Sequence, residues 1–236
     1  MNVNKCDISE GINWLACGWK IFVPQWLMWI VVGLIFIGIT FASMLIPLIG
    51  SLLYNLVMPA LIAGLIWSAH EVEKGKELDA TWLFEGLTNA EHRVPLLMLG
   101  AIWMGCVLVG TLLFFSIVGT SALTALMGQE LTPEMFAGLI LPVMLGALLM
   151  FSIQLLGAMA MFYGVPLVIL DKVPPLQAIQ MSFRACLTNF LPLLIFGIAL
   201  IILGVLAVIP FFLGLLVLLP LSFCANYCSY KAVFKK

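Results

Sequence analysis

The sequence predicts an all-α membrane protein, a helical bundle of six transmembrane helices in three hairpin-like units, each preceded by a cytoplasmic amphipathic helix. Three observations carry this expectation. Of 236 residues, 64% are hydrophobic and only 9% charged, against about 25% charged in a soluble domain. The mean hydropathy of +1.21 points the same way. The apolar residues fall in four charge-free runs, 21–69, 94–129, 135–170 and 185–230, and a spanning helix needs roughly 20 residues. All ten Lys and Arg lie on one side of the arrangement these runs imply.

The elements follow in order. Residues 7–23 form an amphipathic stretch, with Ile8, Ile12, Leu15, Trp19 and Phe22 at helical spacing on one face and Asp7 and Glu10 at its start. The first run is divided by the turn signal 46–51, which contains Pro47 and Gly50, giving spans 25–46 and 51–69. A second amphipathic helix, 79–93, is marked more weakly by Leu83, Leu87, Ala90 and Val94. Each middle run is too short for two spans and a turn, so each yields one span, 95–118 and 137–162, with an overhanging end. The stretch 162–166, Phe-Tyr-Gly-Val-Pro, is expected to end the fourth span or bend it along the surface. Pro174 and Pro175 open a third amphipathic helix, 174–189, with Leu176, Ile179, Phe183, Cys186 and Phe190 in step. Ile209-Pro210 then divides the last run into spans 190–209 and 211–230.

Pro24, Pro95 and Pro192 stand at the three membrane entrances, and Ile46-Pro47, Gly50 and Pro59 are echoed by Ile209-Pro210, Gly214 and Pro220. This suggests threefold internal repetition. Three units of one orientation fit poorly with the inverted halves common in transporters.

Lys and Arg accumulate in cytoplasmic loops, so the chain is expected in an inner membrane with both termini cytoplasmic. The N-terminal stretch does not look like a removable signal peptide. Six cysteines, Cys6, Cys17, Cys106, Cys186, Cys224 and Cys228, lie in the membrane or on the reducing side, so no disulfide is expected. Trp14, Trp19, Trp26, Trp29, Trp67 and Trp82 map near the same surface, as an aromatic belt or a recruiting surface for lipid or a partner. The opposite side offers only the linker 127–135, with Glu130 and Glu134.

No expected span has an ionisable residue in its interior, which argues against a proton relay. Gln154 is the strongest polar group within a span, suited to an interhelical contact. Small residues mark close helix approaches at Gly33, Gly38 and Ala42, at Ala60 and Gly64, at Ala101 and Gly105, and at Gly157, Ala158 and Ala160. Pro59, Pro142, Pro166 and Pro220 lie in or at the ends of apolar runs, where each removes a backbone donor. His70 and His92, among the acids of residues 70–93, lack metal-ligand spacing, and Cys224 and Cys228 read as helix packing. No phosphate loop, nucleophile elbow or basic nucleic-acid stripe occurs, so no catalytic residue, cofactor, metal or nucleic-acid partner is expected.

Gly75-Lys76, the stretch 83–87, Ala178, the cluster 182–186 and Asn189, together with the turn residues above, carry a resemblance over nearly the full length. The chain resembles a family of bacterial six-helix inner-membrane proteins of unknown function. That resemblance implies the same architecture, with Ser182, Arg184 and Asn189 as polar marks at the membrane edge, and no catalytic residues. The expected function is a non-enzymatic envelope, lipid-associated or partner-supporting component. The alternative is a channel or carrier for an uncharged or amphiphilic solute. Membrane lipids, a membrane-protein partner and a homo-oligomer are the candidate associations. Ser182, Arg184 and Asn189 are expected to contact the terminal segments.

Overall fold

Inside a bilayer no water bonds the backbone, so each charge-free run of Leu, Ile, Val and Phe satisfies its own amides as a helix. The computed structural model describes residues 3–47, 49–127 and 133–235, and the side chains of all these except 120–127 and 133–136. The linker acid Glu130 and the side chain of Glu134 therefore lie outside the described residues. The described residues are all-α, with no strand: α1 (Glu10–Phe22), α2 (Trp26–Met44), α3 (Ile49–Glu73), the short α4 (Glu85–Thr88), α5 (Ala90–Met127), α6 (Pro133–Asp171), α7 (Pro175–Thr188), α8 (Phe190–Val208) and α9 (Leu213–Phe234). Six helices, α2, α3, α5, α6, α8 and α9, are long and apolar enough to cross a membrane.

The spans differ in length. At about 1.5 Å per residue, the 19-residue α8 measures roughly 28 Å, whereas α5 and α6, with 38 and 39 residues, measure roughly 57 and 58 Å. The α5–α6 hairpin thus exceeds the hydrocarbon thickness of about 30 Å. The excess in α6 is not taken up by a break at 162–166, as the sequence suggested. The helix runs through Pro166 to Asp171, and Val165, Leu167, Val168 and Ile169 are buried in the core. The second expected amphipathic helix, 79–93, also differs. It is a 3-10 turn (Ala80–Phe84), the single turn α4, and the start of α5, because Asn89 takes an extended conformation that interrupts the helix.

Packing is concentrated at one end. The C-terminal halves of α3 and α9 form its centre: Ala60, Leu61, Ala63, Leu65, Ile66 and Ala69 are fully enclosed, as are Cys224, Ala225, Tyr230 and Val233. Gly64 makes this possible, since a Cβ there would lie 2.0 Å from the Leu83 carbonyl oxygen. The opposite ends expose Leu45, Leu112, Phe115, Phe151, Phe211 and Phe212, as expected of side chains whose solvent is lipid. The hairpin turns at this opposite end share a spacing: Gly50 packs on the backbone of Ser43 and Gly214 on that of Ala207, seven positions back in each case. Other small residues named from the sequence are not all contacts. Gly157 abuts Trp103, but nothing lies within 4 Å of a Cβ at Gly38 or Gly105.

The largest departure concerns α1. Gly11, Trp14, Gly18, Ile21 and Phe22 form a buried stripe. A Cβ on Gly11 would meet the Pro192 carbonyl at 2.4 Å, and one on Gly18 the Ala225 nitrogen at 2.6 Å, so α1 crosses α8 and α9 at backbone contact. Ile8, Ile12 and Trp19 face outward. Trp14 and Trp29 are therefore core residues rather than parts of an aromatic belt, while Trp19 and Trp26 stay half exposed. The same crossing corrects the expectation of reduced cysteines: Cys17 on α1 meets Cys228 on α9, and the two are joined as a disulfide spanning 211 positions of sequence. Cys6, Cys106, Cys186 and Cys224 are free.

Candidate functional site

The packed end of the bundle is also its charged end. Two helices stop there for local reasons. After α3, Gly75 adopts φ +87°, and the Gly75 and Lys76 N–H groups return to the carbonyls of Val72 and Glu71, a left-handed cap that glycine adopts without strain. After α6, Lys172 turns left-handed at φ 54°, and the Val173 N–H donates to the Leu167 carbonyl.

Asn189 occupies the joint between α7 and α8 and is fully buried. Its Oδ1 accepts from the Cys6 N–H at 2.8 Å, and its Nδ2 donates to the Asn4 carbonyl at 3.0 Å. The Asn4 N–H in turn donates to the Val233 carbonyl at 2.9 Å. The N-terminal segment is thereby held between the α7–α8 joint and the end of α9. The expected contact with a terminal segment holds for Asn189.

Ser182 instead faces α6. Its hydroxyl donates to the Met159 carbonyl at 2.6 Å and accepts from the Tyr163 N–H at 3.0 Å, the two groups an uninterrupted helix pairs with each other. One turn on, Pro166 leaves the Phe162 carbonyl without its helical donor, and the Asn226 amide donates to that carbonyl at 3.3 Å. Neighbouring side chains thus bond the α6 backbone at Met159, Phe162 and Tyr163. Arg184 is exposed and makes no hydrogen bond or ion pair among the described residues. The three residues singled out at the membrane edge therefore do three different things.

Two further amides at helix joints were not singled out from the sequence. Gln25, between α1 and α2, donates to the Lys76 carbonyl at 2.9 Å and accepts from the Leu78 N–H. Asn89, between α4 and α5, accepts from the Glu91 N–H at 3.0 Å and donates to Glu85 at 2.9 Å. The available signal was an Asn or Gln close to each entrance proline.

A polar ladder on α9 ties the remaining ends together. The Tyr227 hydroxyl donates to Glu73 at 2.8 Å, and Lys231 pairs with the same carboxylate at 2.6 Å. With its proton committed to Glu73, the Tyr227 oxygen accepts from His70 Nδ1 at 2.8 Å, which places the imidazole proton on Nδ1. Tyr230 donates to Asp171, which also pairs with Lys235 at 3.0 Å. Buried Glu71 pairs with Lys74 at 2.7 Å and with Lys76, and Lys172 pairs with Glu91 at 2.7 Å. Thus Lys74, Lys76, Lys172, Lys231 and Lys235 are committed to carboxylates. Lys5, Lys20, Arg93 and Arg184 are exposed and carry no ion pair among the described residues. Burial first, then the Glu10 and Asp7 carboxylates, push the Cys6 thiol above its ordinary range.

His70 and His92 both lie against the ring of Trp67, with centroids at 6.0 and 6.3 Å. Among the described residues, no three His, Cys, Asp or Glu side chains converge as metal ligands. Two cavities frame the site. One of about 250 Å³, within the spans, is lined by apolar groups such as Trp103, Phe162 and Phe196, with Ser222 and Asn226 its polar members. The other, of about 710 Å³, has a mixed lining in which Asn13, Cys17, Lys20, Gln25 and Glu73 stand beside Ile21, Pro24 and Val72. Gln154 borders neither. It is half buried on α6, its amide nitrogen 3.7 Å from the Cβ position of Gly110 on α5. Comparison with family models, with curated proteins and with solved structures yields no match.

Proposed function

We propose that this chain is a non-catalytic component of a bacterial inner membrane, related to the six-helix family it resembles, which associates with anionic lipid through its charged end. In this reading the charged end faces the cytoplasm, α1 and α7 lie along the membrane interface, and the three hairpin units are internal repeats. The observation that carries the proposal is the pairing of free cations with exposed apolar groups. Lys5, Lys20 and Arg184 stand on the same segments as Ile8, Ile12, Trp19, Leu176, Leu187 and Phe190, all exposed. A cation beside a bulky apolar stripe suits a headgroup phosphate above acyl chains. Each such cation near an anionic surface contributes about 1 kcal/mol. The reading of a carrier for an amphiphilic solute draws on the 250 Å³ cavity, whose Ser222 and Asn226 give it a polar edge.

The test reconstitutes the full chain in bilayers containing brominated lipid and follows tryptophan quenching. Trp19 and Trp26 should be quenched more by brominated phosphatidylglycerol than by brominated phosphatidylcholine at equal mole fraction. The excess should disappear in the Lys5→Gln, Lys20→Gln, Arg184→Gln variant. Equal quenching by both lipids in the unaltered chain contradicts the proposal.

A further inference from the structure

The Cys17–Cys228 disulfide is sealed on one side only. Cys17 is half buried and borders the cleft of about 710 Å³, whereas Cys228 is buried behind it. We propose that this pair is a reversible thiol–disulfide exchange site, whose co-reactant is a small hydrophilic thiol of tripeptide size entering that cleft.

Three observations carry the proposal. The cleft has the volume of a small-molecule site, commonly about 300–1,000 Å³. Its walls include polar groups, Asn13, Lys20, Gln25 and Glu73, and their charges are unequal in availability. Lys20 carries no ion pair among the described residues and is open to a carboxylate of the incoming thiol, while Glu73 is already engaged by Lys231 and Tyr227. The bond is also asymmetric in access, because only Cys17 borders the cleft. Cys224, one turn from Cys228 on α9, is fully enclosed.

The exchange balances without any further oxidant. A thiolate of the small thiol attacks Cys17 Sγ and forms a mixed disulfide. The Cys17–Cys228 bond breaks, its electron pair leaves on Cys228 Sγ, and that thiolate takes a proton from water. A second thiol attacks the mixed disulfide, releasing Cys17 as a thiol and the small molecule as its own disulfide. Two electrons pass to the protein, and the reverse sequence restores the bridge. Reduction leaves α1 in contact with α9 at Gly18 and Ala225, and with α8 at Trp14 and Phe196, whose rings lie 5.9 Å apart. The bundle therefore persists, and only the covalent tie of the N-terminal helix is lost. This inference does not depend on which side the charged end faces, and it shares only Lys20 with the lipid proposal.

The test takes the full chain in detergent micelles through a series of reduced to oxidised glutathione ratios, followed by acid quenching, alkylation and peptide mass analysis. Cys17 and Cys228 should convert together in one reversible two-electron transition, with Cys106, Cys186 and Cys224 taking no part. Cys228→Ser should gain one glutathione on Cys17, and Cys17→Ser should lose that adduct. The unaltered chain decides the matter even if a variant does not fold. A bridge that excess reduced glutathione leaves intact, or two thiols that never pair at any ratio, overturns the proposal, as does an adduct on Cys228 in place of Cys17.

Discussion

Asn189→Ala should release the N-terminal segment while leaving the helices in place. The side chain holds that segment through two main-chain bonds, from Cys6 N–H at 2.8 Å and to Asn4 O at 3.0 Å. Its third bond, to the Ala185 carbonyl, matters less, because that carbonyl also accepts the Asn189 N–H. At a net 0.5–1.5 kcal/mol per bond, the loss is about 2 kcal/mol, or roughly 30-fold in the opening equilibrium of residues 3–9. Cys6 reports that opening directly. Its thiol is raised above its ordinary range by burial and by Glu10 and Asp7, so at mildly alkaline pH it is less ionised than a free cysteine. Opening removes the burial and moves the titration back toward the ordinary range, so ionisation and access rise together. Alkylation of Cys6, followed by peptide mass analysis, should therefore accelerate about 30-fold, and its pH profile should move to lower pH. Asn189→Asp keeps the acceptor for Cys6 but loses the donor to Asn4, and should fall between the two. A Cys6 rate within about twofold of the unaltered chain in Asn189→Ala refutes the assignment.

Other perturbations follow from single contacts. Gly18→Val should cost about 1–3 kcal/mol, because its Cβ meets the backbone of Ala225 at 2.6 Å. It should also lower the fraction of chain carrying the Cys17–Cys228 bridge in non-reducing peptide maps. Tyr163→Phe should cost about 1 kcal/mol through its 2.6 Å bond to Ser229; the double variant with Ser229→Ala should be less than additive in thermal unfolding. Phe212→Gly should raise stability by about 1 kcal/mol, since Phe212 takes a left-handed conformation at φ 65° and its side chain is exposed. An unchanged or lower melting temperature would argue against that strain.

The spans were legible because bilayer thickness sets a length that composition alone reveals, and the hairpin turns at Pro47 and Pro210 follow from proline and glycine. The charged end was legible as a location through the ten Lys and Arg. Its wiring was not. Ile8, Ile12 and Trp19 suggested the apolar face of α1, but Gly11 and Gly18 decide its packing, since close approach depends on what is absent from a residue. The Cys17–Cys228 bridge follows from that crossing and from nothing local. Ser182 and Asn226 act on the α6 backbone, and a partner 20 or 60 residues away leaves no periodic trace. Gln25 and Asn89 were readable only in retrospect, by analogy with Asn189.

Native mass spectrometry of the chain released gently from its own membrane tests the central claim most directly. Anionic phospholipid should remain bound in stoichiometric amount to the unaltered chain and be lost from the Lys5→Gln, Lys20→Gln, Arg184→Gln variant. A chain that emerges without lipid, or that carries a neutral solute equally in both forms, would contradict the account.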